Sequence, residues 1–136
     1  PRPEGELPAN LHLADWVPQR ELLAHADAAL VHAGTATIHE CVAAGVPMVA
    51  YPFPINDQGG NAARIRHHGV GVVGDRRRDD PATIATRLDR VLGDEVMAAR
   101  VARLADEIAR DEREGTAVAA VEALLDGHSD PRRRDT

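Results

Sequence analysis

Apolar residues in the first part of the chain fall into short runs that predict β-strands. Residues 28–31, 47–51 and 70–73 are almost wholly apolar, which is typical of parallel strands that are buried on both faces. Residues 11–14 alternate between apolar and polar side chains, as a half-exposed strand does. These four segments predict a sheet of parallel strands.

Helical periodicity fills the intervals between these runs. It predicts helices over residues 19–25, 36–44 and 58–68, and the last two end at Gly45 and Gly69, as helices commonly do. Strands that alternate with helices form βαβ units, in which helices cover a parallel sheet. The predicted fold class is therefore α/β, a Rossmann-like parallel sheet with flanking helices.

After the last predicted strand the pattern is wholly helical. Asp80-Pro81 and Asp94 indicate the starts of two helices, because Asp caps free N–H groups and Pro suits the first turn. A third helix follows Gly115. The apolar stripes of the three helices are Ile84, Leu88, Val91 and Leu92; Met97, Val101, Leu104 and Ile108; and Val118, Val121 and Leu125. Beyond this helical C-terminal segment, residues 127–136 are expected to form a disordered tail.

Composition narrows the chemistry that the chain can perform. Its 136 residues carry a net charge of −6, its 16 basic residues are all Arg, and aromatic residues make up 2%. The lack of lysine excludes P-loop and Schiff-base lysine chemistry, and an acidic chain with few aromatics is a poor nucleic-acid partner. Cys41 is the single cysteine, which excludes a multi-cysteine zinc site and favours the reducing cytoplasm. No apolar run reaches the roughly 20 residues of a membrane span.

Unusual polar residues concentrate in three loops, residues 15–19, 32–37 and 52–58. In an open parallel sheet, ligands bind beyond the carboxyl ends of the strands. The middle loop follows a buried strand and opens a helix, so its free N–H groups and the helix dipole favour a phosphate. The candidate phosphate ligands in it are His32, Gly34, Thr35 and Thr37. The alternative is an ordinary helix start that a threonine caps.

Other polar residues suit the remaining parts of a nucleotide. Glu40, one turn inside the helix, can accept two hydrogen bonds from a ribose diol, and the alternative is a surface glutamate. Trp16 can stack on a nucleobase or pack on a neighbouring helix, and Gln19 offers both a donor and an acceptor. Asp57 and Gln58 can hold sugar hydroxyls, although Asp57 also suits a helix N-cap.

In their order and spacing, these residues resemble the donor-binding signature of family 1 glycosyltransferases, the nucleotide-sugar transferases of the GT-B fold. The segments that carry the resemblance are Trp16-Val17-Pro18-Gln19, Leu22-Leu23-Ala24-His25, His32-Ala33-Gly34, Thr37, Glu40, Gly45-Val46-Pro47-Met48, Pro52 and Asp57-Gln58. The resemblance extends through the later helices and covers nearly the whole chain. Thr35 and Ala36 depart from the plant pattern, which has Trp and Asn there, and this leaves the sugar and the base preference more open.

The resemblance implies roles for individual residues. Trp16 would stack on the base, usually uracil, and Val17 would meet the base edge through its backbone. Gln19 and Glu40 would hold ribose hydroxyls. The residues implied for the diphosphate are His32 and Thr37, with the helix N-terminus, and those implied for the transferred sugar are Asp57 and Gln58.

The resemblance also implies an activity, which is transfer of a sugar from a UDP- or TDP-sugar to an acceptor hydroxyl with inversion and without a metal or other cofactor. The general base of such enzymes lies in an N-terminal acceptor domain, to which nothing in this sequence corresponds. The first βα units of the C-terminal domain are also missing. Residues 1–126 are therefore expected to form a partial donor-binding domain, the C-terminal half of a GT-B fold.

The implied partners are the nucleotide-sugar donor, a small-molecule acceptor and, if the chain is a separate subunit, an acceptor-domain chain. Two alternatives stay within the family. They are a non-catalytic nucleotide-sugar-binding subunit and a truncated remnant that needs a partner chain. A generic α/β phosphate-binding module is a further alternative, which the candidate base and ribose residues disfavour.

Overall fold

The computed structural model of the chain describes residues 8–128. Its elements in chain order are α1 (Gln19–Leu23), β1 (Ala29–Val31), α2 (Thr35–Ala43), β2 (Met48–Ala50), α3 (Gln58–His68), β3 (Gly71–Val73), α4 (Pro81–Gly93), α5 (Glu95–Glu114) and α6 (Thr116–His128). The predicted α/β class with a helical C-terminal segment is confirmed. The predicted disordered tail, residues 127–136, is wrong at 127 and 128, which are the last two residues of α6. Its remaining part, from residue 129 onward, lies outside the described residues.

The sheet has three parallel strands in the order β1-β2-β3. Leu30 of β1 pairs with Val49 of β2, which pairs with Val72 of β3. All three residues of β2 are fully buried, as the apolar run predicts for a strand with neighbours on both sides. The carboxyl ends of the strands therefore lie at one edge of the sheet.

The fourth predicted strand, residues 11–14, is wrong. This segment forms no strand, and Leu11 and Leu13 are about half-exposed. A strand is held by hydrogen bonds to a neighbouring strand, and β1 pairs only with β2 within the described part of the chain. The alternating pattern carried no information about whether a partner strand is present.

The helices enclose the sheet through a core that draws on both halves of the chain. Helix α4 packs on β2 and β3, and α5 packs on α2. The helical residues with at most 5% exposure are Cys41, Ala62, Ile65, Val91, Met97 and Val101. The predicted stripes of α4 and α5 are thus confirmed, except that Leu92 is exposed because it is turned about 100° from Val91 around the helix. The predicted stripe of α6 is also exposed, although α6 packs on α5.

The predicted helix signals are confirmed at atomic detail. Asp80 accepts a hydrogen bond from the backbone N–H of Thr83 at 2.8 Å, and Asp94 accepts one from Met97 at 2.9 Å. Gly69 adopts a left-handed conformation with φ of +63° after α3, a geometry that glycine adopts without strain. These caps fix where the connecting loops begin and end.

A partly buried ion pair, together with a hydrogen bond from Tyr51, ties the end of β2 to the loop before α4. The Tyr51 hydroxyl donates to Asp79 Oδ2 at 2.8 Å, and Arg87 donates to both carboxylate oxygens of Asp79. The Asp79 side chain is only 6% exposed. The hydrogen bond from Arg87 lowers the pKa of Asp79 to about 2, and the Tyr51 hydrogen bond adds to this effect.

This ion pair predicts a dependence of stability on pH. Because the pKa of Asp79 is lower in the folded chain than its usual 3.8, its contribution is complete above pH 4 and is lost as pH falls towards about 2. We expect Asp79→Asn to lower the urea unfolding midpoint at pH 6, and the gap to wild type should narrow between pH 4 and pH 2. The matched change at exposed Asp89 should leave the midpoint near wild type at pH 6. A gap for Asp79→Asn that is constant with pH would contradict the assignment.

A second stability prediction concerns Gly71, which begins β3. A Cβ atom there would lie 2.8 Å from Met48 Cγ and 2.9 Å from Ile65 Cγ2 and would press on the Met48 carbonyl oxygen. Gly71→Ala should therefore destabilise the fold by about 1–3 kcal/mol, the usual range for overpacking. Gly93, at the end of α4, has no heavy atom within 4 Å of such a Cβ. Gly93→Ala should raise stability slightly or leave it unchanged, and thermal unfolding of both variants tests the contrast.

Candidate functional site

The loop between β1 and α2, residues 32–34, is closely packed against its own side chains. Ala33 is fully buried and has a left-handed φ of +66°. A Cβ atom on Gly34 would lie 2.5 Å from Nε2 of His32, so the imidazole packs over a position where any larger residue would displace it. The loop therefore places the ring of His32 directly beside the start of α2.

The N-terminus of α2 is open to an anion. Gly34 occupies the N-cap position, no side chain caps the helix, and the first turn contains no acidic residue. The alternative in which a threonine caps this helix is therefore wrong. Backbone N–H groups that a helix leaves unpaired at its start, together with the helix dipole, favour a phosphate. Thr35 is exposed and Thr37 is half-buried, and both hydroxyls belong to this first turn.

The two residues predicted to hold a ribose lie side by side. Gln19 begins α1 and Glu40 lies in α2, and the Gln19 amide donates to Oε2 of Glu40 at 2.6 Å. A carboxylate has room for further hydrogen bonds after accepting this one. The structure thus brings together residues that are 21 positions apart, and the interaction orients the Glu40 carboxylate.

The segment before α1 presents its apolar residues to solvent. Trp16 is 79% exposed, which rules out the alternative in which its indole packs on a neighbouring helix. Val17 is also exposed. An exposed indole of this kind offers an open π-face on which a base can stack.

The loop after β2 holds Asp57 and Gln58 in different ways. Gln58 is buried, and its Oε1 accepts a hydrogen bond from the backbone N–H of Phe53 at 2.8 Å, so its amide NH2 group remains as a donor. Asp57 precedes α3 but makes no capping hydrogen bond, which removes the capping role considered for its side chain. Its carboxylate pairs instead with Arg64 at 2.8 Å.

Sequence reasoning missed two residues that contact this site. Asn61 is buried in α3 and donates to the carbonyl oxygen of Ala33 and to Oγ1 of Thr35. Arg64, one turn further along α3, donates to both Asn61 and Asp57. The signal in the sequence was the spacing of Gln58 and Asn61 with a following Ile at position 65, which puts two amides on the buried face of a helix.

Residues 8–128 were also searched for a metal site, a reactive cysteine and a membrane-spanning helix. They contain no group of three His, Cys, Asp or Glu side chains that could hold a metal ion. Burial, with a smaller effect from the charge of Glu40, raises the pKa of the Cys41 thiol to about 11, so Cys41 is not a thiolate at neutral pH. Within this range no helix is long and apolar enough to cross a bilayer.

Known proteins match both the sequence and the fold. A family model described as "Erythromycin biosynthesis protein CIII-like, C-terminal domain" matches residues 2–124. Oleandomycin glycosyltransferase from Streptomyces antibioticus is 33% identical over 123 residues, which are 89% of this chain and 28% of that protein.

Solved structures of glycosyltransferases also resemble this chain. The calicheamicin glycosyltransferase CalG4 superposes with a TM-score of 0.82 and 34% identity over 93% of this chain and 32% of its own. The glycosyltransferase VinC, solved in complex with DTDP, superposes with a TM-score of 0.75 and 26% identity over 88% of this chain and 31% of its own.

This chain spans under a third of the length of each of these three relatives. The match to the family model nevertheless includes every candidate site residue from Trp16 to Gln58. The chain therefore belongs to the family of erythromycin biosynthesis protein CIII-like C-terminal domains.

Proposed function

We propose that the chain binds a UDP- or TDP-sugar and is the donor-binding part of a glycosyltransferase. The observation that carries this proposal is the arrangement of α2, whose uncapped N-terminus lies about one and a half turns from the oriented carboxylate of Glu40. Thr35 and Glu40 are five residues apart, or about 7.5 Å along the helix axis. One helix thus offers both a candidate diphosphate site and a candidate ribose site.

The remaining roles follow from the same placement. Trp16 stacks on the base, Val17 meets the base edge through its backbone, and Gln19 shares the ribose with Glu40. The residues proposed for the diphosphate are His32, Gly34, Thr35 and Thr37. Asp57 and the free NH2 group of Gln58 hold hydroxyls of the sugar, at the carboxyl end of β2. The DTDP complex of VinC and the names of the other relatives support a nucleotide-sugar ligand.

In the proposed reaction, a base removes the proton of an acceptor hydroxyl, and the oxygen attacks the anomeric carbon of the sugar. The bond from that carbon to the diphosphate breaks, so the sugar is transferred with inversion and negative charge builds up on the leaving group. The N–H groups of α2 and the side chain of His32 stabilise this charge, and we propose that no metal takes part. The base and the acceptor-binding residues come from polypeptide outside this chain.

The proposal includes a cytoplasmic location, which is supported by the single, buried and unpaired Cys41. It also includes a small-molecule acceptor, in keeping with the antibiotic names of the relatives. The second candidate function is a nucleotide-sugar-binding subunit without catalysis. The two functions share the donor site and differ only in whether sugar transfer follows.

Trp16 provides a direct test of the donor site. It is the only tryptophan in the chain and is exposed, so a base that stacks on it should change its fluorescence on titration with UDP or TDP. Isothermal titration should show that Trp16→Ala weakens binding by about 5- to 150-fold, because base stacking is worth about 1–3 kcal/mol. Glu40→Gln should also weaken binding, whereas the matched control Glu112→Gln, at an exposed position of α5, should not. The absence of binding heat with both nucleotides would rule out the donor site.

A chimera separates the two candidate functions. We expect oleandomycin glycosyltransferase to transfer sugar when residues 2–124 of this chain replace its matching segment, because the acceptor domain would then supply the base. Mass spectrometry of the acceptor measures the product. In the same chimera, Glu40→Gln should lower transfer by about tenfold or more, the effect of losing a charge-assisted hydrogen bond. A folded chimera that binds the nucleotide but makes no product would favour the non-catalytic subunit.

A further inference from the structure

The side chain of Asn61 is a buried polar group at the centre of the proposed site. It lies one turn inside α3, is 7% exposed, and makes three hydrogen bonds to side-chain and backbone groups. Buried amides of this kind are costly unless they are fully paired. Two partners of Asn61 are Ala33, in the loop before α2, and Thr35, the first residue of α2, and the third is Arg64 in α3. The amide therefore joins two segments of the site.

The orientation of the Asn61 amide is fixed by its partners. Arg64 can only donate, and its Nη1 faces Oδ1 of Asn61 at 2.9 Å. The carbonyl oxygen of Ala33 can only accept, and it faces Nδ2 of Asn61 at 3.1 Å. A flipped amide would place two donors together and two acceptors together. The NH2 group therefore points to the loop between β1 and α2.

One of these hydrogen bonds holds an unusual backbone conformation. Ala33 has a positive φ although it carries a Cβ atom, and such conformations persist only where the surroundings hold them. Asn61 binds the carbonyl oxygen of Ala33, and the fully buried methyl group of Ala33 fills the core. Asn61 thus holds the residue between His32 and Gly34, the two residues that shape the proposed phosphate site.

The other hydrogen bond sets the direction of the Thr35 hydroxyl. Nδ2 of Asn61 donates to Oγ1 of Thr35 at 3.1 Å, so this oxygen acts as an acceptor on that side. A hydroxyl has one proton and two lone pairs, and its proton is then free to donate to another group. Thr35 is exposed at the start of α2, so this proton is available to a ligand at the proposed diphosphate site.

We propose that Asn61 is a positioning residue that shapes the diphosphate site through Ala33 and Thr35 without touching the ligand. This inference rests on the proposed function. Arg64 extends the arrangement, because its Nη1 also donates to Oδ2 of Asp57 at 2.8 Å. A continuous chain of hydrogen bonds therefore connects Asp57, proposed for the sugar, with Thr35, proposed for the phosphate.

The test compares UDP with uridine, which lacks the phosphates, on the full 136-residue chain by Trp16 fluorescence and calorimetry. Asn61→Leu, which keeps the size but removes the hydrogen bonds, should lower UDP affinity about tenfold, the scale of one charge-assisted hydrogen bond, and change uridine affinity by less than about twofold. If this variant unfolds, Asn61→Ser allows the same comparison with a smaller change. Equal losses for both ligands, or an unchanged UDP affinity, would overturn the proposal.

A second comparison isolates Thr35. In a Thr35→Ala background, the same change at Asn61 should lower UDP affinity by a smaller factor, because the hydroxyl that it orients is already gone. An equal factor in both backgrounds would overturn the role assigned to this hydroxyl. A wild-type chain that binds neither ligand would instead contradict the proposed function itself, and the inference about Asn61 would fall with it.

Discussion

The parallel pairing of three short strands is the constraint on which the rest of the molecule depends. With β2 in the middle and fully buried, the direction of each strand is set, and the three loops that follow the strands meet at one edge. The loop after β1 contributes His32 and the start of α2, and the loop after β2 contributes Asp57 and Gln58. The loop after β3 contributes Asp79, which accepts a hydrogen bond from Tyr51 at the end of β2 and pairs with Arg87 of α4. The shared direction of the strands therefore determines where the proposed ligand site lies, and the side chains of the loops determine what it can bind.

Much of this arrangement could be predicted because its signals are local. Helix α3 begins and ends at the predicted residues, and it ends there because Gly69 adopts a left-handed conformation. The apolar run around β2 correctly predicted a strand that is buried on both sides. The strand predicted at residues 11–14 was wrong because strand formation also depends on a neighbouring strand, which no local pattern describes. The role of Asn61 was also beyond reach. Two of its three partners lie 26 and 28 positions earlier in the chain, and only the fold brings them together with Asn61.

The outer side of β1 is an uncovered edge of the sheet. Leu30 lies in the middle of the strand and is 53% exposed, whereas its partner in β2, Val49, is completely buried. Within residues 8–128 no strand pairs with the outer side of β1. An apolar residue in that position and an open row of backbone donors and acceptors are features that proteins usually cover. The exposed Leu30 and the open strand edge are consistent with a chain that spans under a third of the length of these relatives.

The left-handed conformation of Ala33 has a consequence for the thermodynamics of binding. A flexible loop that wraps a ligand loses conformational entropy at the moment of association, and this loss is subtracted from the affinity. In this chain the fully buried methyl group of Ala33 and the hydrogen bond to its carbonyl oxygen make the ordering of the loop part of folding instead. The free energy of folding therefore includes the strain of this conformation. A ligand that binds there meets a loop whose backbone is already ordered.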